Sequence, residues 1–221
     1  MIRRDYIMRM VQEMVQLLSR VLFLKSREEY DQALREIHVG LRKLREEESA
    51  GKQEDAGLSL DEWIALCRKH EHVAAGLMVA IADLLAQEGE LLARKGQHAA
   101  GQHSLALALG LTVEALLNGE MFVSAEALAK VDQLLEATRE TAYSPPIYRR
   151  LVNYFAARGR FGKAEDVLFK WLDSGDGEAR AAGEEFYEQL FKLDDAILAR
   201  GNLPRAEAEE GLRELRSTRT A

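Results

Sequence analysis

The stretch RGRFGKAEDVLFKWLDSG, residues 158–175, decides how the chain is read. Gly159 stands two residues before Phe161 and five before Ala164. A second stretch, RGNLPRAEAEEGLREL at 200–215, places Gly201, Leu203 and Ala206 at the same offsets. A glycine just past a helix end takes the left-handed backbone at little cost and closes the helix. A bulky side chain two residues on fills the wedge between that helix and the next. A small residue one turn later lets the two rods approach. The spacing therefore predicts a helical hairpin.

Working outward, two more turns share features of the pattern. At 26–34 Tyr30 and Ala33 keep the bulky and small positions, and Arg27 stands where the others carry glycine. At 94–105 Gly96 and His98 keep the offset, and Gly101 supplies the small residue. Repeated hairpins imply stacking. The G-x-F-x-x-A of residues 159–164 resembles the central part of a tetratricopeptide repeat, and so do Gly201, Leu203 and Ala206. That resemblance implies an all-α fold of stacked antiparallel helical hairpins, an irregular tetratricopeptide-like α-solenoid. It also implies a concave face that holds a peptide or partner protein. The intervals are irregular: 68 residues from Tyr30 to His98, 63 to Phe161 and 42 to Leu203, against a usual period of about 34. The opening MIRRDYIMRMVQ resembles the start of an uncharacterised bacterial family of helical, repeat-like proteins.

Composition agrees with helices. Of 221 residues 47% are hydrophobic and only 3 are proline. Ala, Leu, Glu and Arg dominate, the side chains that lose least freedom in a helix. Apolar residues recur at three- and four-residue steps over about 5–25, from Ile7 to Leu22, and over 28–47, from Tyr30 to Leu44. Residues 48–58 are polar and read as an internal loop. Ser59 and Glu62 then form a capping box for a short helix carrying Trp63. Further helices are expected over 72–94, 98–117, 124–141, 147–158, 162–172, 178–199 and 204–216. Residues 217–221 read as a tail, and 1–221 as a single helical-repeat domain. Within SLALALGL, residues 104–111, leucines alternate as in a strand, but Ala and Gly between them offer no wet face. A packed helix with a break near Gly110 is the expectation.

The net charge is -7, with 30 basic and 37 acidic residues intermixed. No basic stripe suits nucleic acid or anionic lipid. Asp5, Arg9, Gln12, Glu13, Gln16 and Arg20 interrupt the first apolar run, which is thereby expected to be neither signal peptide nor membrane span. Cys67 is the sole cysteine, in keeping with a cytoplasmic protein.

Chemistry is sparsely marked. Cys67, His70 and His72 form the densest ligand cluster, yet no further cysteine or carboxylate completes a zinc spacing. His98 is expected to pack in the wedge. His103 lies five residues on, off that helix face, and His38 sits on a charged helix. No phosphate loop or nucleophile elbow is present, so no catalytic residue, metal or cofactor is nominated. Tyr148, Arg149, Arg150 and Asn153 crowd one helix entrance and are candidate contacts for an acidic peptide. Arg3, Arg4 and Tyr6 are a second set. The broad first-helix stripe makes a second copy of the chain another candidate partner. The expected function is a non-enzymatic scaffold or adaptor. The alternative is a helical enzyme or small-ligand binder with an interhelical pocket, recognisable by convergent Glu, His or Cys67.

Overall fold

The computed structural model describes residues 2–48, 57–70, 73–119 and 124–217, with the backbone alone at 2–8 and 47–48. Eleven helices and no strand occur among the described residues. They are α1 (Ile2–Ser26), α2 (Tyr30–Glu48), α3 (Leu60–Arg68), α4 (Ala74–Arg94), α5 (His98–Asn118) and α6 (Ala125–Ala137), then α7 (Pro145–Ala157), α8 (Phe161–Asp173), α9 (Gly177–Leu190), α10 (Asp195–Arg200) and α11 (Arg205–Ser217). Contacts gather into two compact units, Met1–Thr141 and Ala142–Ala221, where the sequence reading treats the chain as one domain. Most of the expected 48–58 loop and of the 217–221 tail lies outside the described residues. Ser217 itself is helical.

The four aligned turns share one backbone device. Each helix ends with an N–H reaching back five residues: Glu29 to Leu24 O, Gln97 to Leu92 O, Arg160 to Phe155 O and Leu203 to Leu198 O, at 2.9 to 3.1 Å. The residue just before each donor has positive φ: Glu28 at 62°, Gly96 at 77°, Gly159 at 66° and Asn202 at 58°. These are Schellman closures, which satisfy carbonyls that the helix end leaves open. The structure corrects the alignment twice. Glu28, not Arg27, holds the glycine position of the first turn. In the fourth, Gly201 keeps an ordinary φ of -79° and Asn202 takes the left-handed one. Asparagine does so at lower cost than most side chains.

Beyond each turn the packing differs. Phe161 and Leu203 are buried as wedges, and Ala33, Gly101 and Ala164 are buried where rods touch. His98 is exposed, so the expected packing of its ring fails. Ala206 is exposed as well. Ala208, two residues on, is buried instead.

In the first unit α4 and α5 make the most extensive helix pairing. Ala108, Leu109, Leu111, Val113 and Ala115 are all fully buried, so α5 is enclosed on every side over residues 104–116 and runs unbroken through Gly110. Its alternating leucines reflect a helix with no wet face. Its length and apolarity would suit a membrane crossing, but 78% of that apolar window is covered by neighbouring helices. On α1 the expected stripe divides. Met10, Met14, Leu17, Val21 and Leu24 are buried, whereas Val15, Leu22 and Phe23 are exposed. The capping box forms as expected, with Ser59 N donating to Glu62 Oε2 at 2.7 Å.

In the second unit the two quoted stretches touch each other. Gly162 N donates to Gly201 O at 3.0 Å. A Cβ on Gly201 would strike the Phe161 ring and lie 2.7 Å from Gly159 O. The turn between α7 and α8 is thus seated on the turn between α10 and α11. The helix expected over 178–199 is two. The chain turns at 191–194, where Asp194 takes extended backbone and Arg205 of α11 donates to Leu193 O at 2.7 Å. Burial of Trp171, Tyr187 and Phe161 supplies roughly 1.5–3 kcal/mol each.

Gly201→Ala should therefore lower stability by about 2 kcal/mol through overpacking. Gly159→Asn should cost less than about 1 kcal/mol, because the space there is open and asparagine tolerates the turn. Urea unfolding monitored by circular dichroism reads both, and equal losses would contradict the docked turns.

Candidate functional site

A close helix crossing generates the site. A Cβ on Gly89 of α4 would lie 2.8 Å from Gly101 O of α5, and one on Gly101 would lie 2.7 Å from Gly89 O. Two helices without side chains at one crossing can bring their backbones together. The neighbours of these glycines are thereby brought into bonding range. Ser104, one turn beyond Gly101, donates its hydroxyl to Glu88 Oε2 at 2.8 Å. His38 of α2 reaches the other oxygen, with Nε2 2.7 Å from Glu88 Oε1.

This trio stands in the wall of a cavity of about 480 Å³ between α2, α4 and α5. Leu41, Trp63, Leu85, Leu92 and Leu107 give it an apolar floor. His38, Arg42, Arg45 and His103 stand around it, with Ala100, Gly57 and Leu58 completing the lining. Glu88 is only 13% exposed through its side chain, so the carboxylate depends on its two partners. The Glu88 hydrogen bond raises the pKa of His38 above its ordinary value of 6.5, against partial burial and the nearby charge of Arg42.

The order of the trio limits its chemistry. In an activated serine the hydroxyl donates to an imidazole, which is in turn oriented by a carboxylate. Here the carboxylate sits in the middle, and Ser104 donates to it directly. Both Glu88 oxygens already accept hydrogen bonds from side chains of the wall. The arrangement is suited to holding charge and shape more than to moving protons.

The residues singled out in the sequence lie elsewhere. Tyr148 is 4% exposed and stacks on Trp171, with ring centroids 6.2 Å apart and planes 9° apart. Arg149 lies over the Trp171 ring at 5.4 Å and pairs with Glu178 at 2.9 Å. Arg150 donates to Pro146 O at 2.9 Å. Asn153 is exposed. The side chains of Arg3, Arg4 and Tyr6 lie outside the described residues, as does His72. Cys67 and His70 are buried at the end of α3. No group of three metal-ligating side chains occurs among the described residues. Other perturbed groups lie apart from the cavity. Burial brings the Lys130 ammonium down to about 8 despite its contact with Asp83. In the second unit burial raises both Tyr187 and Glu165, which share a 2.6 Å hydrogen bond.

Sequence reasoning does not single out Glu88 and Ser104, and it gives His38 and His103 structural or surface roles. The four come from three helices and have no common spacing. The one local signal is Gly101, which reads as a packing residue.

The chain belongs to a family of unknown function, DUF6483, whose model matches residues 1–220. No curated protein and no solved structure matches it.

His38 should titrate above 6.5 by nuclear magnetic resonance, and Glu88→Gln should bring its midpoint down. A histidine whose folded pKa exceeds its unfolded one adds stability that is full below about 6.5 and lost as pH rises through the folded value. The stability gap between the natural protein and His38→Gln should accordingly narrow above neutral pH. An unchanged His38 midpoint in Glu88→Gln would contradict the pairing.

Proposed function

We propose that the protein is a non-enzymatic binding protein that holds a small amphipathic molecule in the α2–α4–α5 cavity. The observation that carries this reading is the convergence of an apolar floor with Glu88, His38, Ser104, Arg42, Arg45 and His103 around one space of about 480 Å³. That volume lies within the ~300–1,000 Å³ of small-molecule sites, and the mix of apolar lining with a few oriented polar groups is characteristic of them. The largely buried Glu88 fixes the wall. Leu85, Trp63 and Leu107 offer contact area to a hydrocarbon or ring.

A second reading keeps the protein as a scaffold for a peptide or partner protein, with tetratricopeptide-like stacking of hairpins. Exposed Asn153 and the partly exposed Arg149 on α7 support it, as does the seating of one turn on another in the second unit. It lacks Tyr148 as a contact, since that ring is part of the core.

The test uses the neutral fluorescent probe N-phenyl-1-naphthylamine, which brightens in apolar sites. Binding should quench Trp63, which lines the cavity, so Trp63→Phe should lower the quenching. Ala100→Trp, at an exposed position of the lining, should weaken probe binding about tenfold or more. Probe binding that ignores Ala100→Trp would overturn the assignment.

A further inference from the structure

We propose that the outward face of α1 docks a second copy of this chain, the two α1 helices packing antiparallel along a seam of Val11, Val15, Leu18 and Leu22. α1 carries two apolar seams. Met10, Met14, Leu17, Val21 and Leu24 recur at steps of four and three and are buried in the first unit. Val11, Val15, Leu18 and Leu22 recur at steps of four, three and four, and they are turned away from that core. Val11 and Leu18 are half-buried, Val15 is 53% exposed and Leu22 45%. Phe23 beside them is 60% exposed. Apolar residues at alternating steps of three and four are the pattern by which one helix packs along another.

The surroundings of the seam suit it to being covered. Between residues 11 and 26 α1 has three charged side chains, Glu13, Arg20 and Lys25. Each is held by a neighbouring helix. Glu13 accepts from Lys43 of α2 at 2.9 Å, Arg20 donates to Glu36 of α2 at 3.4 Å, and Lys25 donates to Gln87 and Glu90 of α4. The seam itself is left uncharged in a chain with 30% charged residues. Ser19 and Ser26 flank it and already donate to Val15 O and Phe23 O of their own helix, at 3.1 and 2.7 Å. Covering them therefore strands no donor. Charge at the ends of α1 gives the occupant its direction. By sequence the first nine residues hold three arginines and one acid, Asp5, and Arg9 is exposed. At the far end Arg27 pairs with Glu29, whereas Glu28 is exposed with no ion-pair partner among the described residues. A parallel pair would set the two arginine-bearing starts side by side. An antiparallel pair, with Val15 facing Leu18 of the second copy and Val11 facing its Leu22, separates them. Arg9 then stands about 6 Å of helix rise from Glu28 of the second copy, within reach of its side chain. A two-fold axis makes that contact twice. Nucleic acid and anionic lipid call for a cationic strip, which this face lacks. The seam spans about 17 Å of helix. A contact of that length lies at the small end of specific interfaces, so the dimer is a weak one in the micromolar range.

Sedimentation equilibrium of the full chain, from micromolar to near-millimolar concentration, reads the pairing. The natural protein should dimerise reversibly. Val15→Lys and Val15→Glu, at an exposed position, should each weaken the dimer at least about tenfold, because the two-fold axis sets each new charge near its own copy. An equal mixture of the two variants should associate again, which also shows that both fold. Arg9→Glu should weaken the dimer about threefold. Arg9→Glu/Glu28→Arg should restore it. The two positions lie about 28 Å apart along one α1, so only a second copy can bring them together. A natural protein that stays monomeric throughout, or a dimer that ignores Val15→Lys, would overturn the proposal. Failure of Glu28→Arg to rescue Arg9→Glu would overturn the antiparallel arrangement. Flotation of the natural protein with anionic vesicles, lost in Val15→Glu, would assign the face to lipid and overturn the second copy as its occupant.

Discussion

The backbone contact between Gly89 and Gly101 is the constraint on which the first unit depends. Each glycine faces the other's carbonyl at a distance that no side chain could share. Closer rods bring more atoms within the short range over which dispersion acts. The same contact sets the register between α4 and α5. With that register, Glu88 and Ser104 meet, and α2 brings His38 to the remaining carboxylate oxygen. Packing and site are therefore one geometrical fact seen from two sides of α4. The core side carries Leu84 and Leu91, and the cavity side carries Glu88 between Leu85 and Leu92.

The second unit uses the same materials differently. Its glycines bring turns together, not helix midpoints: Gly201 lies under Phe161, and Gly162 donates to the Gly201 carbonyl. The same unit holds an aromatic core of Tyr148, Trp171, Phe186 and Tyr187. Trp171 Nε1 donates to Asp176 Oδ2 at 2.7 Å, and Asp176 also caps α9 by accepting from Glu178 N. One carboxylate thus satisfies a buried indole and a helix start together, which is how a polar tip enters an apolar interior at low cost.

Much of the helical framework is legible because helices announce themselves locally. The capping box at Ser59 and Glu62, the prolines opening α7, and the glycines at 96 and 159 are signals within a few residues of their effect. The departures are equally local in origin. Asn202 displaces Gly201 from the left-handed position, and Asp194 with Arg205 divides one expected helix into two. His98 holds the offset of a wedge without the burial, since offset fixes direction along the chain and not what lies opposite. The cavity is illegible for a different reason. Its members lie 16 and 50 residues from Glu88 along the chain, and only the crossing of three helices joins them. Tyr148 and Arg149 stand close in the sequence for a structural reason as well. Their clustering reflects an aromatic core and its ion-paired edge.

The most direct test is the proton–proton distance between the two glycines in the uniformly labelled protein. With backbones this close, nuclear Overhauser contacts should join the Hα protons of Gly89 to those of Gly101, alongside contacts from Ser104 to Glu88. If Gly89 and Gly101 show no mutual contact and the helices meet only through leucine methyls, the crossing that builds both core and cavity does not exist.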